Sequence, residues 1–110
     1  MRLLPTALLM LTITSCSARD DLQPVEAGKV SWGRDLDAAL VASEVSGKPV
    51  FALFQEIPGC AGCQQFGREV MSHPLIVEAV ETEFTPLLIH NNKPGKDADV
   101  LRRFGEPAWN

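Results

Sequence analysis

The amino-acid sequence predicts an α/β domain of order β-α-β-α-β-α, with a mostly parallel sheet between helices in a three-layer sandwich. Three observations carry this expectation. The run Pro49-Val50-Phe51-Ala52-Leu53-Phe54 is apolar, short and rich in β-branched and aromatic residues, as one buried strand requires. Thr85-Pro86-Leu87-Leu88-Ile89-His90 is a second run of the same kind. Between them the apolar spacing turns helical, first at Phe66, Val70 and Met71, then at Leu75, Ile76, Ala79 and Val80.

The chain has 110 residues, enough for one domain at most, and its 45% hydrophobic content is ordinary for a globular protein. Ten Lys and Arg against 14 Asp and Glu give a formal charge of −4, which leaves no basic patch and argues against nucleic acid as a partner. There is no internal repeat and no low-complexity tract.

The start of the chain is expected to lie outside the fold. Met1-Arg2 is a short cationic opening, and Leu3 to Ile13 is an apolar core too short to span a bilayer but suited to a signal peptide. Ile13-Thr14-Ser15-Cys16 ends that run with an aliphatic residue, two small residues and a cysteine, a pattern that resembles a bacterial lipobox. The expected organisation is a lipoprotein-type signal peptide over 1–15, lipidation at Cys16, a polar tether over 16–29 and a domain over 30–110. Ordinary signal cleavage after Ala18 is the competing reading. Ser17 after the cysteine resembles outer-membrane sorting, so the expected location is the bacterial periplasm, with a lipid anchor as the only membrane attachment.

Within the domain, Val30-Ser31-Trp32 reads as a short first strand. Asp35 to Ser46 reads as a helix whose inner face carries Leu36, Ala39, Leu40 and Ser43, with Gly47 as its C-cap. The apolar strand and a helix beginning near Cys60 come next. Ser72-His73-Pro74 restarts a helix, with proline tolerated in the first turn; Leu75, Ile76, Ala79, Val80 and Phe84 can face the core while Glu78, Glu81 and Glu83 stay wet. After the second apolar strand, Asn91 to Gly95 is a turn. Val100 to Phe104 ends a short amphipathic helix that Gly105 stops.

The chemistry concentrates at Cys60-Ala61-Gly62-Cys63, which follows the strand and the Pro58-Gly59 break and opens a helix. Unpaired N–H groups and the positive end of the helix dipole favour a thiolate there, lowering the first cysteine's pKa. The two-residue spacer also lets the second sulfur reach back and close a small disulfide ring. With Cys16 set aside, Cys60 and Cys63 are the remaining cysteines, in an oxidising compartment. A bridge closing so short a loop constrains the unfolded chain little, so stability is a poor reason to place one there.

This segment resembles the active-site region of the thioredoxin-like superfamily, and within it the exported bacterial branch that includes the C-terminal domain of the thiol:disulfide interchange protein. The matching features are Gly47-Lys48-Pro49-Val50, the strand, Cys60-x-x-Cys63, the helix, and Ser72-His73-Pro74. The resemblance covers roughly Val30 to Phe104. It implies a thiol-disulfide oxidoreductase in which Cys60 attacks and Cys63, more buried, resolves the mixed disulfide, with protein or small-molecule thiols as partners and no cofactor. Three departures stand out. Gly59 occupies the place of a tryptophan, Ala61-Gly62 carries neither proline nor histidine, and Phe54 stands where thioredoxins place a buried acid, six residues before the first cysteine. Glu56, four before Cys60, could take that acid's place only if a rearranged loop aims it inward, and reads first as a solvated loop residue.

Two other readings remain open from sequence. One is a copper- or zinc-binding member of the same fold, with His73 and His90 completing a site with the cysteines. The other is a non-catalytic thioredoxin-like binding module. By the family pattern, a cis-proline loop, two strands and a helix would follow the last predicted helix. Pro107 comes too soon after Gly105 for that loop, so the sequence predicts a domain truncated before it, with open strand edges and exposed apolar surface.

Overall fold

A computed structural model of the chain describes residues 23–106. A single 3-10 turn, Val25–Ala27, is followed by α1 (Leu36–Ser46), β1 (Val50–Gln55), α2 (Ala61–Glu69), α3 (Pro74–Glu83), β2 (Thr85–His90) and α4 (Lys96–Arg103). The expected signal peptide, Cys16 and Pro107 lie outside the described residues.

β1 and β2 pair in parallel, with Val50 opposite Thr85 and Gln55 opposite His90. The two-residue side-chain period then sorts the core into two layers. On one face, Leu87 and Ile89 of β2 pack with Leu36 and Ala39 of α1, against Val50 and Phe54 of β1 and Val100 of α4. On the other, Leu88 packs with Ala27 and Ile57, and Leu53 lies against them. Phe51 and Leu53 extend this layer to Val30, Met71, Val77 and Val80. The sheet therefore lies between α1 and α4 on one side and the 3-10 turn, α2 and α3 on the other. This is the mixed α/β, three-layer arrangement expected.

Local chemistry ends the elements where the sequence suggested. The Asp35 carboxylate accepts from the Ala38 N–H at the start of α1, and Gly47 closes that helix at φ 72°. Pro74 occupies the first turn of α3, where the His73 ring nitrogen accepts from Leu75 N–H at 3.3 Å.

The first predicted strand needs correction. Val30-Ser31-Trp32 forms no strand, and the segment contributes one parallel bridge, between Gly33 and Leu87. Its backbone is claimed by side chains instead. Ser31 N–H donates to the Glu81 carboxylate at 2.7 Å, and the Gln23 amide donates to Val30 O at 3.0 Å. The described order is thus α-β-α-α-β-α, with β1 paired only to β2 among the described residues.

The inner faces of two helices are also narrower than expected. Leu40 is 42% exposed and Leu75 69% exposed. In α3 the pair Val77 and Val80, one turn apart, meets Val30 and Met71, while Phe84 stacks edge-on to Phe51 at 5.5 Å. The expected tether also ends early. Ala27 is completely buried, and Gly67 of α2 lies directly against Val25 and Glu26.

Candidate functional site

Cys60 is the N-cap of α2, in extended conformation (φ −70°, ψ 177°), and Cys63 stands one turn further on. Their sulfurs are 3.7 Å apart as free thiols, Cys60 exposed and Cys63 half-buried. This places the two predicted catalytic residues together at a helix start, with unequal access to solvent.

Their electrostatics are unequal too. The backbone N–H of Cys63 lowers the Cys60 pKa most, helped by the Cys63 thiol and the Gly62 N–H. Burial pushes the Cys63 thiol the other way, and its hydrogen bond and charge interaction with Cys60 add to that rise. A helix N-terminus that leaves one sulfur outside and draws the next inside produces both effects.

The loop that delivers Cys60 is held from below by residues the sequence reading did not single out. The Glu26 carboxylate, only 4% exposed, accepts from Gly59 N–H at 2.8 Å. Gln55, at the end of β1, donates its amide to Glu26 O at 3.0 Å and to Cys63 O at 3.3 Å. Asn92 accepts from Ile57 N–H at 3.1 Å and donates to Pro58 O at 3.2 Å. Gln55 was findable, since strand alternation puts it on the inward face of Phe51 and Leu53. Glu26 carried no such signal, because it sits in a stretch whose composition matches a solvated linker.

Gly59 now has a structural reason. A Cβ there would meet Glu56 O at 2.4 Å and Cys63 Cβ at 2.6 Å, so the loop has no room for the tryptophan of the family pattern. The Phe54 side chain packs instead in the α1 layer. Glu56, expected in solvent, is half-buried, and its carboxylate lies within 4.8 Å of both sulfurs. The histidines of the alternative metal-binding reading do not join that group among the described residues. His73 caps α3 and His90 ends β2, its pKa lowered chiefly by burial and then by Arg34.

Beside the thiols runs an open groove of about 440 Å³ lined by Gln55, Cys60, Gly62, Cys63 and Phe66. With Phe66 38% exposed, it offers an apolar wall next to Cys60. A second cavity, of about 220 Å³, lies between α1 and α4. Its charges largely pair with each other, Arg34 with Asp97 at 2.7 Å and Lys96 with Asp35 at 2.5 Å.

Glu26→Ala is expected to leave Gly59 N–H without its acceptor and to open a small void, costing about 1–3 kcal/mol of stability. Glu26→Gln, which keeps an acceptor oxygen, should recover most of that loss. Urea unfolding of the reduced variants measures both; equal losses would show that the Gly59 contact is unimportant.

Comparison with curated proteins and with solved structures returned no match. The family model described as thioredoxin-like matches residues 31–107, a span that contains both strands, all four helices and both cysteines of the site. By that match the chain belongs to the thioredoxin-like family.

Proposed function

We propose that this protein is a thiol-disulfide oxidoreductase that acts through Cys60 and Cys63. The observation that carries the reading is the pair of unequal thiols, 3.7 Å apart at the start of α2. In the reducing direction, the Cys60 thiolate attacks one sulfur of a substrate disulfide. The bond between Cys60 and the attacked sulfur forms, the substrate S–S bond breaks, and the other substrate sulfur leaves as a thiolate. Cys63 then gives up its proton, which the departed substrate thiolate takes up, and attacks Cys60 Sγ. That step expels the second substrate thiolate and closes the Cys60–Cys63 disulfide. Two electrons pass from the dithiol to the substrate, and the reverse sequence oxidises a dithiol substrate.

The exported, lipid-anchored location belongs to the same proposal and rests on the Leu3 to Ile13 run and the Ile13-Thr14-Ser15-Cys16 pattern. No helix among the described residues is long and apolar enough to cross a membrane. Protein or small-molecule disulfides are the proposed substrates, and the apolar wall at Phe66 suits an extended segment bearing the target sulfur.

Alkylation across a pH series tests the reading. Because the Cys60 pKa is lowered and the Cys63 pKa raised, the rate at Cys60 should rise through a midpoint below that of an ordinary thiol. Cys63 should react only at higher pH. Mass mapping of the labelled peptides separates the two sites, and equal rates at both cysteines would overturn the assignment.

A further inference from the structure

The carboxylate of Glu56 converges on the two thiols from the loop between β1 and α2. Glu56, Cys60 and Cys63 offer one oxygen and two sulfurs that all lie within 4.8 Å of one another. Among the described residues, no cation forms an ion pair with Glu56. Its carboxylate and the two sulfurs therefore offer three donor atoms to one position.

The spacing of the sulfurs, that of two hydrogen-bonded thiols, is also one that a metal ion fits. Two thiolates bound about 2.3 Å from one tetrahedral zinc ion stand about 3.8 Å apart. The observed separation is 3.7 Å, reached with both cysteines free. A carboxylate oxygen about 2.0 Å from the same ion would lie roughly 3.5 Å from each sulfur. Glu56 sits in the loop between β1 and α2 with its carboxylate within 4.8 Å of both sulfurs, so coordination would require that oxygen to draw closer. A set of two sulfurs and one hard oxygen suits zinc better than cuprous copper, which selects soft thiolate and thioether donors.

We propose that reduced protein binds one zinc ion through Cys60, Cys63 and Glu56, leaving the fourth coordination position open to solvent or to a substrate thiol. The ion holds both thiolates, so its binding and the formation of the Cys60–Cys63 disulfide exclude each other. This site depends on the spacing of three donors and stands whether or not the cysteines exchange disulfides with a substrate.

Cobalt(II), whose absorption reports its ligands, is the probe. Titrated anaerobically into the reduced full chain, it should bind at one equivalent, with tetrahedral visible bands and a near-ultraviolet thiolate-to-metal band, all abolished by zinc. Air-oxidised, disulfide-closed protein should give none of these bands. Glu56→Gln should weaken cobalt binding at least about tenfold, the lower end of what even indirect partners of metal ligands contribute. Its thiolate band per bound ion should persist. Cys60→Ser and Cys63→Ser should each lose roughly half of the thiolate band. Unchanged affinity and visible bands in Glu56→Gln would overturn the carboxylate's part, and absence of the thiolate band in the parent protein would overturn the site. Alkylation of metal-free protein reads the exchange chemistry separately, so either proposal can fail alone.

Discussion

Cys63→Ser is expected to accumulate a covalent mixed disulfide between Cys60 and its substrate, whereas Cys60→Ser should accumulate none and exchange only at the uncatalysed background. The asymmetry follows from position. Cys60 is exposed at the helix start, where N–H groups of Cys63 and Gly62 stabilise its thiolate. Cys63 is half-buried and burial raises its pKa, so it meets an external disulfide poorly. It does face Cys60 Sγ at 3.7 Å, which is the contact that resolution needs. With Cys63 replaced, attack proceeds but release does not. Non-reducing electrophoresis of the two variants after incubation with a disulfide substrate reads the outcome. Trapping by Cys60→Ser at the level of Cys63→Ser would reverse the roles assigned here.

The second large effect is expected at a residue with no chemistry of its own. Gly67→Ala should destabilise the reduced protein by roughly 3 kcal/mol, the upper end of ordinary overpacking. Glycine inside a helix is normally a weakness, and alanine would gain about 1 kcal/mol from propensity alone. Here packing opposes that gain. A Cβ at Gly67 would come within 1.9 Å of Val25 O and 2.7 Å of Glu26 Cα. These are backbone atoms, so the neighbour cannot step aside by changing a rotamer. To admit the methyl group, the turn Val25–Ala27 must lift off α2. Doing so pulls on the Glu26 bond to Gly59 N–H at 2.8 Å and the Gln55 bond to Glu26 O at 3.0 Å. The melting temperature should fall by about 12 °C or more.

Gly62→Ala is the natural comparison. Its added Cβ would meet only Cys60 Sγ, at the ordinary contact distance of 3.7 Å, so the helix gain should prevail and stability should hold or rise. Thermal unfolding of both variants checks the contrast. A Gly67→Ala protein as stable as its parent would show that the 3-10 turn is not anchored on α2.

Much of the architecture was legible because it rests on local pattern. The second strand, Thr85–His90, was readable to the residue, since an apolar run between a helix end and the Asn91–Gly95 turn has few alternatives. Asp35 and Gly47 marked the ends of α1 for reasons that live within a few residues of each. Misreadings arose where distant groups compete. Val30 to Trp32 has strand composition, yet Ser31 N–H is taken by Glu81 and Val30 O by Gln23. Leu75 and Ile76 satisfy a helical period, but the layer beneath α3 presents Val30 and Met71 to Val77 and Val80.

The site divides in the same way. The amino-acid sequence by itself determined the Cys60-x-x-Cys63 spacing and its placement between strand and helix, because a helix N-terminus is a local structure and the dipole acts within one turn. Tertiary structure alone decided what surrounds those sulfurs. Glu26 reaches Gly59 from a segment that composition marks as linker, and Gly67 owes its identity to a backbone that touches it from Val25 and Glu26. Glu56 is four residues from Cys60, but only the path of the loop between β1 and α2 turns its carboxylate toward both thiols. Residue type and spacing specify which atoms are available. Packing across residues far apart in the chain specifies which of them meet, and no periodic pattern records that.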